Sequence, residues 1–423
     1  MATVLTARPS AEATAEATAD GRATGRRTTA LALGPAFVAA VAYVDPGNIA
    51  TNTAAGAGHG FLLLWVVVLA TLMAGPVQYL SAKLGIVSGA SLPSYVGRRL
   101  SRRSRLAYWA QAEIVAVATD VAEVIGAAVA MNLLFGVPLV LAGLIAAVVS
   151  MVVLAVRDRL GAKAFEALCA LSLLGIGVGF AVGIVREPAG LREIGGGLVP
   201  GLAGVDTVLL AAGIVGATVM PHAVYLHSSL TAENRSATGD LATRLRWTRI
   251  DVTVAMVVAG SINVSMLVLG ATALRGSDDD SLGGAAAGLA ERVGHGAGTA
   301  FLVALLVSGL SSTAVGTQAG ASIMAGLLRR KVPTVVRRCV TLVPALGLLA
   351  SGQEPLSVLV LSQVVLALGL PFALVPLVRA TRDGAAMGAW RNGRILSAVV
   401  TTITAAVIAL DLSLVALTVA GHG

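Results

Sequence analysis

Charged residues are scarce in this chain. Asp, Glu, Lys and Arg make up 12% of the 423 residues, whereas hydrophobic residues make up 56% and the mean hydropathy is +0.86. Soluble domains carry about 25% charged residues, so this composition excludes an ordinary soluble protein. Apolar runs of about 20 residues, the length of a helix that crosses a bilayer, recur along almost the whole chain. The sequence therefore predicts an integral membrane protein.

Cysteine and histidine are also rare, with two and five copies. Cys169 and Cys339 stand alone in different apolar segments, and their spacing suggests neither a disulfide framework nor a cysteine metal knuckle. No H-E-x-x-H pair occurs, so the helical zinc-hydrolase motif is absent. These absences argue against an intramembrane enzyme. We expect no catalytic residues and no bound cofactor.

Eleven apolar segments are candidate membrane helices, and they are continuous stretches rich in Ala, Leu and Val. The strands of a membrane barrel would instead alternate apolar and polar residues over about 10 positions, so we predict an all-α fold. The segments lie near residues 31–56, 61–86, 106–134, 137–156, 164–185, 204–230, 250–274, 299–328, 335–350, 355–378 and 395–420.

A single transmembrane domain is predicted for residues 29–423, after a tail of different composition. Residues 1–28 are low-complexity Ala and Thr with both charge signs, so we expect a disordered cytoplasmic tail. A signal peptide is disfavoured, because the first apolar run is long and lacks a small-residue cleavage site. The domain divides into helices 1–5 at about 31–185, helices 6–10 at about 204–380 and helix 11 at about 395–420.

Basic residues divide the loops into two classes. With the N-terminus inside, 25 of the 30 Lys and Arg residues lie in cytoplasmic segments and 4 in outer loops. Basic residues near membrane helices stay cytoplasmic, which predicts a multi-pass protein of a bacterial-type plasma (inner) membrane with its C-terminus outside. Nucleic acid is not an expected partner, because the basic clusters are loops between spans without an aromatic platform.

The first apolar segment is interrupted by the sequence DPGN. Pro46 lacks a backbone N–H and Gly47 tolerates most backbone angles, so we expect the helix to break there. A break at mid-membrane exposes backbone polar groups, which are tolerated only where they line a cavity or pack on protein. Asp45 needs a partner at this depth, since a charged side chain costs about 2.5 to 3.5 kcal/mol at a span centre. A cation is the natural partner, and Asn48 adds a neutral oxygen. Alone, the motif fits a hydrogen-bonded proline kink equally well.

The sixth apolar segment has its own interruption, at Met220, Pro221 and His222. The sixth segment begins the second set of five segments, just as the first segment begins the first set. Paired interrupted segments in matching positions indicate a transporter binding site near the bilayer midplane. Five spans per half is an odd number, so the second repeat must be inverted. Asp45, Asn48 and the backbone near Ala217 offer oxygens, whereas Met220 offers a thioether that favours transition metals over Mg²⁺ or Ca²⁺.

DPGN in the first segment, together with MPH in the sixth, resembles the Nramp family of proton-coupled divalent transition-metal transporters. The resemblance extends over about 31–420 and includes the stretches ATDVAEVIGAA (118–128), SGLSSTAVGTQAG (308–320) and LSQVVLALGLPFAL (361–374). It implies a LeuT-type fold of five plus five inverted helices with broken helices 1 and 6 and an added eleventh helix. Ala223 departs from the family, which commonly has a polar residue after MPH.

The resemblance also implies a ligand set and a proton route. The implied metal ligands are Asp45, Asn48, Met220, the carbonyl of Ala217, and Gln363 in the tenth segment. Asp120 and Glu123 lie three residues apart on one helix face and can form either a proton relay or a structural network with basic residues. The implied proton route consists of Asp45, His222, Glu123, Asp120, Arg337 and Arg338.

The expected function is import of divalent transition-metal ions, Mn²⁺ first and Fe²⁺ next, as transported substrates coupled to protons by alternating access. The expected partners are the metal ions, protons and the lipid bilayer, and a monomer is the working expectation. An amino-acid or organic-cation symporter of the same architecture is the alternative. It is disfavoured because the first break presents an acid, which would repel a substrate carboxylate.

Overall fold

The computed structural model describes residues 34–233, 240–276, 279, 281–330 and 332–419; the predicted N-terminal tail at 1–28 lies outside the described residues. These described residues form helices and connecting loops, with no strand among them. The helices are α1 (Pro35–Ala42), α2 (Pro46–His59), α3 (Leu64–Ser88), α4 (Leu92–Arg99), α5 (Arg102–Phe135), α6 (Leu139–Leu160), α7 (Ala162–Arg186), α8 (Leu191–Gly197), α9 (Val205–Val219), α10 (Pro221–Glu233), α11 (Leu241–Ala273), α12 (Leu282–Arg292), α13 (His295–Leu327), α14 (Thr334–Ala350), α15 (Pro355–Arg382), α16 (Gly384–Met387) and α17 (Arg394–Val419).

Eight of the described segments are long and apolar enough to cross a membrane: α3, α5, α7, the α9–α10 pair, α11, α13, α15 and α17. The apolar part of α6, Leu139–Ala155, is shorter than these eight segments. Large apolar side chains such as Leu72, Val148 and Leu171 are more than 60% exposed on the outside of the bundle, as expected where lipid is the solvent. The all-α membrane architecture is therefore confirmed, while the total of eleven spans stays a prediction.

Both predicted breaks are present, and each has a local cause. Helix α1 ends at Ala42 and α2 begins at Pro46, because proline has no N–H to donate and is accepted at the first helical position. Asp45 caps α2, and its Oδ1 accepts from the backbone N–H of Asn48 over 2.7 Å. Met220 separates α9 from α10 with a φ of +21°, an unusual angle for a residue other than glycine.

Close approach of two helices fixes the position of α2. A Cβ on Gly56 would collide with the backbone carbonyl of Leu267 in α11, and a Cβ on Gly270 would meet the carbonyl of Thr53 over 2.5 Å. Glycine therefore lets the α2 and α11 backbones touch, as small residues do between membrane helices. Helices α2, α9 and α15 also pack against one another. This arrangement places both breaks in the interior of the bundle.

Candidate metal site

The backbone of the first break is held by two distant helices. The carbonyl of Tyr43 accepts from Asn263 Nδ2 of α11 over 2.9 Å, and the carbonyl of Val44 accepts from Ser308 Oγ of α13 over 2.5 Å. All four groups are fully or almost fully buried. Buried carbonyls released from a helix need such partners. The break is thus a supported feature rather than a local distortion.

Asn48 connects the two breaks. Its Nδ2 donates to Asp45 Oδ1 over 2.8 Å and to the carbonyl of Ala217 over 3.0 Å. Asp45 precedes α2, whereas Ala217 lies in the last turn of α9, 169 residues after Asn48. Two acceptors from different halves of the chain therefore converge on one amide N–H₂ group. A cation at that point would meet the same two oxygens.

Several side-chain oxygens near the breaks are buried and have no hydrogen-bond partner among the described residues; they include Asp45 Oδ2, Asn48 Oδ1 and Gln363 Oε1. Gln363 lies on α15 directly over the first break, since a Cβ on Gly47 would collide with its side-chain amide. Buried polar atoms usually have partners, and exceptions point to strain or to a bound ion. Each of these oxygens is an acceptor to which no group among the described residues donates.

Met220 lies at the second break. It is fully buried, follows the last residue of α9 and immediately precedes Pro221. The structure therefore brings Asp45, Asn48, Ala217 and Gln363 together through contacts and places Met220 three residues after Ala217 at the same helix break. Among the described residues no three His, Cys, Asp or Glu side chains come together in a metal-binding group. A metal at the breaks would depend on one carboxylate and on neutral oxygen and sulfur atoms.

Glu123 lies on α5 beside the first break. A Cβ on Gly126, one helical turn further along α5, would collide with the ring of Pro46. The Glu123 carboxyl oxygens would lie 3.0 and 3.1 Å from a Cβ on Gly316 of α13, so a small residue is needed opposite this acid. Glu123 is fully buried, and its carboxylate has no ion-pair partner within the part of the chain that the structure describes. It lies between the break and the arginines of α14.

Asp120 is paired with both predicted arginines. Its Oδ2 lies 3.7 Å from Nη1 of Arg337, and its Oδ1 lies 3.3 Å from Nη1 of Arg338. A third acid was missed by the sequence analysis: Oε1 of Glu113 lies 3.3 Å from Nε of Arg337. Glu113 precedes Asp120 by seven residues, so two full helical turns place them on one face of α5. That spacing is the signal that could have found it.

The two histidines of α10 have different surroundings. Nδ1 of His222 lies 3.3 Å from Oγ1 of Thr119 on α5, and its Nε2 has no hydrogen-bond partner among the described residues. Nδ1 of His227 lies 2.8 Å from Oε1 of Gln78, whose Nε2 contacts the Tyr43 hydroxyl. His222 therefore faces the acid-bearing helix α5, whereas His227 belongs to a separate polar group around α3.

Comparison with known proteins finds a matching family model and related metal transporters. Residues 36–417 match the family model Nramp, "Natural resistance-associated macrophage protein-like". The chain is 49% identical over 399 residues to the divalent metal cation transporter MntH of Mycobacterium tuberculosis, covering 93% of each chain.

Two solved structures are similar as well. A crystal structure of the Eremococcus coleocola manganese transporter matches with a TM-score of 0.81 and 31% identity, covering 92% of this chain and 86% of that one. The structure of MhsT in complex with L-phenylalanine matches with a TM-score of 0.62 at 12% identity, covering 90% of this chain and 97% of that one, which shows a shared fold alone. The fold is therefore that of the LeuT-type transporters.

Proposed function

We propose that this chain, which belongs to the Nramp family of divalent metal cation transporters, imports Mn²⁺, and Fe²⁺ as a second substrate. Import is coupled to protons and proceeds by alternating access. The observation that carries the proposal is the Asn48 amide, which bridges Asp45 and the Ala217 carbonyl across the two helix breaks. The similar manganese transporter from Eremococcus coleocola supports the order of the two metals.

The proposed metal ligands are Asp45, Asn48, Met220, Gln363 and the carbonyl of Ala217. A cation that enters would take the place of the Asn48 N–H₂ group and bind to Asp45 Oδ1 and the carbonyl oxygen of Ala217. Rotation of the Asn48 amide would then present its Oδ1, which has no partner among the described residues. One carboxylate with neutral oxygens and a thioether suits a transition-metal ion better than Mg²⁺ or Ca²⁺, which prefer all-oxygen shells.

The proposed proton route leads from Asp45 to His222, Glu123 and Asp120. Asp120 lies against Arg337 and Arg338, and Glu113 extends the route by one more acid beyond Arg337. Buried acids and histidines that follow one another at membrane depth are typical of proton relays. Glu123 supports a relay rather than a purely structural network, because it is fully buried and forms no ion pair among the described residues.

Import also depends on orientation. We propose that the N-terminus is cytoplasmic and that the protein lies in the plasma membrane of a bacterial-type cell as a monomer. An inward-negative potential then favours entry of a divalent ion, by about 2.3 kcal/mol per charge per 100 mV. The helix breaks supply a site near the midplane, which rocking of the two repeats would open to each side in turn.

The test is uptake into proteoliposomes of Mn²⁺, Fe²⁺, Mg²⁺, Ca²⁺ and a mixture of amino acids, with internal pH recorded at the same time. We expect Mn²⁺ and Fe²⁺ uptake with acidification of the lumen and no uptake of amino acids. Glu123→Gln should keep metal uptake and lose most of the acidification. Amino-acid uptake without metal uptake would overturn the proposal in favour of the symporter, and metal uptake by the unsubstituted protein without acidification would overturn the coupling.

A further inference from the structure

An open cavity of about 490 Å³ lies where α15 ends and α17 begins, away from the helix breaks. Its lining includes three arginines, Arg382, Arg391 and Arg394, together with Asn392 and Ser397. The cavity stands at the ends of two membrane-length helices, and therefore at the boundary between lipid and water. The metal site leaves these residues without a role.

The loop that carries the cavity is held in place by Asn392. The Asn392 backbone N–H donates to the Thr381 carbonyl over 3.1 Å, and its Nδ2 donates to Thr381 Oγ1 over 2.9 Å. Lys83 Nζ of α3 donates to Asn392 Oδ1 over 2.9 Å. These bonds join the loop to α15 and α3. The flanking arginines are therefore presented by a fixed backbone rather than by a free loop.

The positive charge of the cavity has no acidic partner in the part of the chain that the structure describes. The three arginines take part in none of the ion pairs among the described residues. The neighbouring acid, Asp383, is committed elsewhere, because it pairs with Arg99 and accepts from the Tyr95 hydroxyl over 2.9 Å. The bond from Tyr95 holds the pKa of the Asp383 carboxyl below its usual value, so this acid stays ionised and directed at α4.

Two further features indicate an anionic ligand. Ser397 is only 6% exposed, lines the cavity, and its hydroxyl takes part in no hydrogen bond within the described part of the chain. The first turn of α17, a helix of 26 residues, begins at Arg394, so its backbone N–H groups and helix dipole add positive potential. Guanidinium groups, a hydroxyl and a helix N-terminus together match the oxygens of a phosphate group.

We propose that this cavity binds the phosphate headgroup of an anionic phospholipid, such as phosphatidylglycerol. Apolar side chains beside the cavity favour a lipid over free phosphate: Ile395 is 83% exposed and Trp390 is 37% exposed. Tryptophan is enriched at membrane interfaces, and basic pockets between membrane helices bind anionic headgroups. A lipid bound there would link the end of α15, the helix that carries Gln363, to the start of α17.

The test measures thermal unfolding of the full-length purified protein in detergent, with added phosphatidylglycerol, phosphatidylcholine or inorganic phosphate. We expect phosphatidylglycerol, but neither phosphatidylcholine nor inorganic phosphate, to raise the unfolding midpoint. The reason is that a ligand of the folded state stabilises that state. The triple substitution R382Q/R391Q/R394Q should raise the half-saturating lipid concentration roughly 100-fold, about fivefold per arginine. The single substitution Arg391→Gln should raise it about fivefold.

A matched control removes the same charge from the junction between α4 and α5. Arg98, Arg102 and Arg103 are exposed and lie outside the cavity, and R98Q/R102Q/R103Q should leave the half-saturating concentration unchanged. If the half-saturating concentration rose equally in this control, the lipid would be attracted by diffuse surface charge and the proposed site would be overturned. Equal stabilisation by inorganic phosphate would overturn the lipid assignment, and equal stabilisation by phosphatidylcholine would overturn the role of the charge.

A second measurement is local and does not depend on stability. Brominated lipids quench tryptophan fluorescence at contact, and Trp390 stands next to the cavity. We expect brominated phosphatidylglycerol to quench more strongly than brominated phosphatidylcholine. The difference should disappear in Trp390→Phe and in R382Q/R391Q/R394Q. Quenching that is the same for both lipids would contradict the proposal.

Discussion

At the scale of single residues, Asn48 and Asp45 define the proposed metal site. Asp45 performs two tasks, because Oδ1 caps α2 while Oδ2 is left without a partner among the described residues. A neutral residue of the same shape can still cap the helix but cannot neutralise a divalent ion. The capping function and the metal-binding function can therefore be separated by substitution.

Asp45→Asn should abolish Mn²⁺ uptake, at least 100-fold in initial rate, while the midpoint of thermal unfolding in detergent stays the same or rises. The physical reason is that the substitution removes a buried charge, which costs free energy unless it is paired. Uptake into proteoliposomes and a thermal melt measure the two effects. Retention of more than a tenth of the wild-type rate would show that the Asp45 charge is not needed.

Met220→Leu should leave folding almost intact and weaken the discrimination against Ca²⁺ and Mg²⁺. Leucine and methionine are close in volume, so such a swap usually costs less than 1.5 kcal/mol, whereas only methionine has sulfur. Inhibition of Mn²⁺ uptake by added Ca²⁺ is the measurement. Met256→Leu, at another buried position in α11, is the control and should not change selectivity; an unchanged selectivity in Met220→Leu as well would contradict the thioether argument.

At the scale of helices, contacts without side chains hold the first repeat to the second. The α2 and α11 backbones touch at Gly56 and Gly270, so any larger residue must separate these two helices. The same α2 helix begins at the break that carries Asn48. A shift of α2 would therefore move the proposed metal site directly.

Gly56→Ala should destabilise the protein and slow Mn²⁺ uptake, because its Cβ would collide with the Leu267 carbonyl. Gly58→Ala is the matched control in the same helix, where a Cβ meets nothing within 4 Å. Helix propensity alone favours alanine over glycine by about 1 kcal/mol, so the control should be neutral or stabilising. Thermal melts of both variants give the comparison, and equal melting temperatures would show that the close contact is unimportant.

At the scale of the whole molecule, the proposed orientation follows from basic residues in the loops. Thiol reagents in water can reach the loops between helices. Replacement of the two native cysteines, Cys169 and Cys339, by alanine gives a background free of cysteine. Ala203 lies just before α9 and Ala389 lies between α16 and α17, and both are exposed. The proposed topology puts them on opposite sides of the membrane.

In that background, Ala203→Cys should react with a membrane-impermeant maleimide in intact cells, and Ala389→Cys should react only after permeabilisation. The reason is that excess Lys and Arg hold their loops in the cytoplasm. Mass shift on a gel measures labelling. The reverse pattern would mean that the molecule is inserted upside down and that the import direction must be reconsidered.

Much of the fold and the chemistry of the site follow from local properties. Proline and glycine break helices through their own covalent structure, so the breaks at Pro46 and Pro221 were predictable, and so were the long apolar segments. The oxygen and sulfur atoms available at the breaks were also predictable, because the residues that carry them lie beside the two prolines in the sequence. Family resemblance added Gln363, for which the local pattern carries no signal.

Only the tertiary structure decided which groups meet. The Asn48 amide reaches the Ala217 carbonyl across 169 residues, Asn263 and Ser308 hold the carbonyls of the first break, and Glu113 joins Arg337. Local sequence determines where a helix can begin or end, because steric and hydrogen-bonding limits act within one turn. Contacts between distant helices depend on how the whole bundle packs, and no short stretch of sequence contains that information.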